Sequence, residues 1–355
     1  MSNRFLASLG ALAIVVAIGA LAPVPVAGQA GAKATKTAAT RAWTPPRTPD
    51  GQPDLQGFWV NTRATPVERP QVLAGRQFLT DAEVADLQKR ADRLFKDGAS
   101  DFAAGDNIFL AAFANLERYN NPNSTSTSVG MVEKKFDNRT SLVVDPPEGR
   151  IPPLTPEAQR RQAATAARQR LLSGPEDLNN AIRCITYGVP RLGGRFADPD
   201  FSYYQILQAP GYVVLMTEAI HEARIIPLGG RPHLPQGVRQ WDGDSRGRWE
   251  GTTLVVDTTN FSPSSNFMGS GEHLHLVERF TRVAADTINY EMTVDDPMTW
   301  TKSWTAAIRL TQQAQDTLYE FACHEGNVDV MRGILGGARA EEHAAEEAAT
   351  KREPR

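Results

Sequence analysis

The hydrophobic pattern changes character near Tyr203. Beyond it, short runs rich in Val, Ile, Leu, Thr and aromatic residues are separated by turn residues, the texture of β-strands. Eight strands are predicted: 204–208, 212–217, 220–228, 249–257, 273–283, 287–294, 304–310 and 317–322. Pro210-Gly211 suits the centre of a type II turn, and Ala284-Ala285-Asp286 makes a short hairpin link. Short antiparallel strands in succession predict a mainly β fold with some helix. Its C-terminal half, residues 203–335, should be an antiparallel meander forming a barrel or a strongly twisted sheet.

Upstream the periodicity differs. Thr80-Asp81-Ala82-Glu83 is a capping-box pattern, and Val84, Leu87, Ala91 and Leu94 follow at helical spacing. Thr155-Pro156-Glu157 opens a second helix running to Leu172, polar over most of its face and therefore at the surface. Val143-Val144-Asp145 is a short strand leading into a proline-ruled loop. The predicted organisation is a leader over 1–30, an extended Pro-rich arm over 31–70, and an irregular and helical part over 71–202. The β-rich part comes next, then a charged tail over 336–355. In the arm, Phe58 and Trp59 should dock on the folded body, because a segment so rich in Pro and Gly makes neither a helix nor a central strand.

The first thirty residues read as a secretory signal: Arg4, an apolar run from Phe5 to Ala22, then small residues through Ala30. The mature protein is thus expected in the periplasm or outside the cell. After cleavage no stretch is left that would make a stable membrane span. Forty-one acidic against thirty-eight basic residues give a net charge of -3, which leaves no basic field for nucleic acid. In an oxidising compartment the two cysteines, Cys184 and Cys323, are expected to form a disulfide.

Several strings bear on chemistry. Gly243-Asp244-Ser245-Arg246-Gly247 matches the spacing of a hydrolase nucleophile elbow, but residues 248–257 read as a strand where an elbow needs a helix. The string is expected to be a turn between strands. Asp242-Gly243-Asp244 begins like a calcium loop, yet Arg246 and Thr253 stand where oxygen ligands belong. No glycine fingerprint or haem-attachment string occurs, and no metal site or cofactor is expected. His221 falls in the strand 220–228, with Glu222 and Arg224 on its opposite face.

In the strand around 272–282, one face carries His273, His275, Val277 and Arg279. The other carries Leu274, Leu276, Glu278 and Phe280. If the second face is the core, Glu278 enters it and needs a partner such as an arginine. If the first face lines a cavity, His275 is an acid or base within it. The candidate catalytic residues are His275, His221 and Glu278. Arg224, Asp244, Arg246, Trp249 and Tyr290 are the candidate ligand contacts.

Four pieces carry a resemblance. These are Thr48-Pro49-Asp50-Gly51-Gln52-Pro53-Asp54-Leu55-Gln56-Gly57, Asp145-Pro146-Pro147-Glu148-Gly149-Arg150-Ile151-Pro152-Pro153-Leu154, Gly243-Asp244-Ser245-Arg246-Gly247-Arg248-Trp249-Glu250-Gly251 and Cys323-His324-Glu325-Gly326-Asn327. Together they resemble a large family of uncharacterised secreted bacterial proteins. The resemblance spans nearly the whole mature chain, implies one coherent unit, and brings no reaction with it. The β-rich half also resembles lipocalin-type barrels by strand count. The expectation for function is a cofactor-free protein binding a small, mostly apolar molecule. Such a protein could transform its ligand by hydrolysis, elimination or isomerisation through His and carboxylate chemistry. The competing expectation is a non-catalytic envelope protein held to a partner by its arm and tail.

Overall fold

Successive side chains of a strand point to opposite faces, so a sheet rolled on itself sorts them into an interior and an outer wall. That is the architecture here. The computed structural model describes residues 43–350 apart from 62, 96–104, 119–134, 191–202, 266 and 313–317. The expected leader and the start of the arm lie outside the described residues.

The strands are β1 (Gly57–Val60), β2 (Val143–Asp145), β3 (Tyr203–Ala209), β4 (Tyr212–Thr217), β5 (Ala223–Pro227), β6 (Asp244–Glu250), β7 (Thr253–Thr259), β8 (His275–Ala284), β9 (Thr287–Asp295) and β10 (Trp304–Gln312). Nine of them run in the order β5-β4-β3-β1-β10-β9-β8-β7-β6, all neighbours antiparallel, while β2 pairs with β10 outside this path. A parallel bridge between Leu228, just past β5, and Gly247 in β6 joins the two ends into a nearly closed barrel. Gly247 permits this seam. A Cβ there would stand 2.6 Å from the Leu228 side chain and 2.9 Å from that of Ile226.

The turn residues act as expected. Gly211 adopts φ +79°, as the third position of a type II turn requires, and links β3 to β4. Gly251, at φ +63°, separates β6 from β7. The expected strand 249–257 is therefore a hairpin of two strands, and the expected turn at Gly243–Gly247 is mostly strand. Its alternation is complete: Ser245, Gly247 and Trp249 share the registers of Thr258, Val256 and Leu254, while Asp244, Arg246 and Arg248 take the other face. The expected strand 317–322 does not form: 318–322 have no regular structure, and Thr317 lies outside the described residues.

The Pro-rich arm also departs from expectation. Its Gly57–Val60 segment is a central strand, paired with β3 on one side and β10 on the other. The prolines end before this segment, so it keeps its backbone donors. Trp59 thereby enters the main core with no exposed surface, its indole N–H donating to the Leu55 carbonyl at 2.9 Å. Trp304, Tyr290, Ile206 and Leu276 belong to the same core.

A second apolar cluster lies under two helices, α1 (Asp81–Leu94) and α2 (Gly105–Phe113). Thr80 and Glu83 form the reciprocal capping box, and Leu87, Ala91 and Leu94 are buried. Helix α3 (Pro156–Leu171) starts at Thr155, whose hydroxyl accepts from the Ala158 amide. Helix α4 (Asn327–Thr350) covers most of the expected charged tail. Cys184 and Cys323 are joined in a disulfide that closes a separation of 139 residues. Among the described residues no helix is long and apolar enough to cross a membrane.

Candidate functional site: a cavity with a buried Arg-Glu-Tyr triad

Residue alternation in β8 decides which of its faces is inside. Leu276, Glu278 and Phe280 are buried, and their register partners Val294, Met292 and Tyr290 in β9 are buried with them. Glu278 therefore enters the core, with only 2% of its surface exposed. A carboxylate there needs partners, and it has two. Arg224, inward on β5, donates from Nη2 to Oε2, and the Tyr290 hydroxyl donates to Oε1 at 2.7 Å.

This triad stands in the wall of a cavity of about 510 Å³, counting its open mouth. Val189, Ile206, Leu215, Phe280 and Leu310 form the apolar lining. Tyr204, Thr217, Glu222 and Asp242 complete the polar part of the wall. Small-molecule sites commonly measure about 300–1,000 Å³ and combine an apolar lining with a few convergent polar groups. Phe280 and Tyr290 pack with ring centroids 4.5 Å apart.

The electrostatics are set by burial. Burial alone would lower the pKa of Arg224, but the charge and hydrogen bond of Glu278 outweigh it, so the guanidinium is held above its ordinary value. Burial, and then the neighbouring Glu278 charge, push the Tyr290 phenol well above its usual range. The phenol is therefore a hydrogen-bond donor at neutral pH.

His275 and Glu278, three residues apart on one strand, face opposite sides of the barrel wall. His275 lies outside with its side chain 43% exposed, and its Nε2 is 3.2 Å from both oxygens of Asp257. That contact holds the imidazole above its ordinary pKa against the opposing effect of partial burial. The same hydrogen bond lowers Asp257. His233 continues the outer network, with Nε2 3.1 Å from Asp257 and Nδ1 2.9 Å from Asp244. Asp244 also accepts from Arg246 at 2.6 Å and from the Leu234 amide at 2.9 Å.

The expectation that His221, His275 and Glu278 share a site is thus corrected. His221 does not lie in a strand either. It ends a short turn before β5 at φ +53°, and its Nε2 is 3.9 Å from Glu320. Of the expected ligand contacts, Arg224 and Tyr290 line the cavity, whereas Asp244 and Arg246 belong to the outer network. Trp249 points inward and packs against the main core. Ser245, the elbow serine by spacing, is buried in β6 with its hydroxyl 3.0 Å from that of Thr258.

Sequence reasoning missed Asp257 and His233 on the outer wall and Tyr204 and Asp242 in the cavity. Asp257 sits at an outward position of a strand whose pattern was legible. His233 lies in an irregular Pro-flanked segment with no periodicity to place it. Among the described residues no cluster of His, Cys, Asp and Glu is arranged to hold a metal ion. No protein-family model, curated protein or solved structure matches this chain, so the reading of the site rests on its own geometry.

Proposed function

We propose that the protein is exported and holds a small, mostly apolar molecule in the barrel cavity. The observation that carries this reading is the cavity itself, where an apolar lining meets the buried Arg224-Glu278-Tyr290 triad. Filling a core this size with side chains would stabilise the fold more simply than an ion pair, whose desolvation offsets much of its attraction. Retention of the pair beside open space supports a ligand with a polar end. The disulfide fits an oxidising compartment.

Holding is favoured over transforming the ligand. A general base needs a free lone pair directed at its substrate, and both Glu278 oxygens already accept hydrogen bonds. Native mass spectrometry of protein purified from its own periplasm is expected to show a retained organic molecule that leaves on gentle activation. A bare polypeptide mass, together with no uptake of apolar probes in calorimetric titration, would remove this reading.

A further inference from the structure

The polar valences that the cavity wall leaves open define the chemical class of the ligand, an inference that rests on the binding reading above. Glu278 has one donor on each oxygen, and the single O–H of Tyr290 is engaged in one of those bonds. Arg224 differs. A guanidinium carries five N–H donors, and the bond to Glu278 engages Nη2 alone. Its Nε is buried and has no acceptor among the described residues. A buried donor without a partner bears a desolvation cost that an acceptor on a ligand would remove.

Charge narrows the choice. Glu278 already balances Arg224, and the wall adds the carboxylates of Glu222 and Asp242, so three carboxylates face one guanidinium. Asp242 accepts from the Thr186 hydroxyl at 2.9 Å and acts electrostatically on Arg224. A carboxylate ligand would reach the spare donor only within a net negative wall. An ammonium would find the right field but has no lone pair for Arg224 and would be repelled by its charge. A neutral oxygen acceptor meets neither objection, and the rest of the lining suits an apolar body.

We propose that the cavity takes an uncharged apolar molecule bearing a carbonyl-type acceptor, such as a ketone, ester or amide, with its oxygen toward Arg224.

Four probes of similar size separate the possibilities in calorimetric titrations of the full chain at neutral pH: 4-phenyl-2-butanone, 3-phenylpropanoate, 3-phenylpropylamine and butylbenzene. The ketone is expected to bind about tenfold or more tightly than each of the others, the scale of one buried hydrogen bond. The double variant Arg224→Met/Glu278→Leu removes both charges together. It should still take up butylbenzene while losing the preference for the ketone. Asp242→Asn should weaken the discrimination against 3-phenylpropanoate and leave ketone binding unchanged. Equal binding of ketone and butylbenzene by the unmodified chain would overturn the acceptor while leaving the cavity reading intact. Tightest binding by the amine or the carboxylate would do the same. Failure of all four probes to bind would overturn both readings. The ranking with the unmodified chain decides the question whether or not the variants fold.

Discussion

Replacing Glu278 by Leu should be among the most destabilising single changes in the barrel. The substitution keeps approximate volume but leaves the Arg224 guanidinium in the interior without its counter-charge, and removing one partner of a buried pair typically costs about 3–5 kcal/mol. Arg224→Met strands the Glu278 carboxylate and should cost a similar amount. Were the two effects independent, the double variant would lose about 6–10 kcal/mol, comparable to the whole stability of a typical domain. It should instead lose only about 1–3 kcal/mol, because the charges leave together and the remaining defect is the Tyr290 hydroxyl without its acceptor. Adding Tyr290→Phe should recover most of that remainder. Urea unfolding followed by tryptophan fluorescence provides the assay, since Trp59 and Trp304 are fully buried in the same core. Where a single variant does not fold, recovery of a cooperative transition in the double variant reads the same coupling. Additive losses, or a cost below about 1 kcal/mol for Glu278→Leu alone, would refute the buried-pair argument.

The remaining predictions concern the outer wall, the seam and the disulfide. His275 is held above its ordinary pKa, so its stabilisation is complete below the unfolded imidazole value and fades as pH rises through the folded one. Asp257 is held low, so its contribution is present above the unfolded carboxylate value and fades as pH falls through the folded one. The pair should therefore add most in mildly acidic solution, by at most about 1 kcal/mol given its exposure. His233, also on Asp257, and Asp295, near His275, contribute to the same field. Asp257→Asn should bring the imidazole titration of His275, monitored by NMR, down toward the ordinary value. An unchanged titration would refute the assignment of cause. His275→Gln should leave probe uptake by the cavity intact, and a loss of uptake in folded protein would contradict its placement on the outer wall. Gly247→Val should destabilise by about 1–3 kcal/mol and raise amide exchange along β5 and β6, because its side chain enters the space of Leu228 and Ile226. Unaltered exchange there would argue against the seam. Alkylation of the unreduced protein should modify neither Cys184 nor Cys323, and replacing both with Ala should cost about 2–5 kcal/mol in thermal or urea unfolding.

Local chemistry was legible where it acts over a few residues. The capping box at Thr80 and Glu83, the Thr155 cap, the Pro210-Gly211 turn and most strands of the meander appear where short-range pattern places them. The need of an inward Glu278 for an arginine was legible in the same way. Pattern failed where pairing overrides local preference. Gly57–Val60 lies beside a Pro-rich stretch, yet it becomes a central strand because β3 and β10 each present a free edge to it. The string Asp244–Glu250 is charged and glycine-containing, and it becomes β6 because Gly247 alone lets the barrel close against Leu228.

The site divides in the same way. Alternation along β8 by itself determined that His275 and Glu278 could not share a side of the wall, because consecutive strand residues point oppositely whatever the fold. It did not determine which of them was inside. That choice depends on which face the neighbouring strands bury, through the registers of β7 and β9 on either side. Arg224 meets Glu278 across 54 residues, and Tyr290 meets it across a β8–β9 hairpin. His233 meets Asp257 from a segment with no periodicity at all. Such meetings are set by the closure of the sheet, a property of the whole ladder of strand pairs, and no window of sequence contains it.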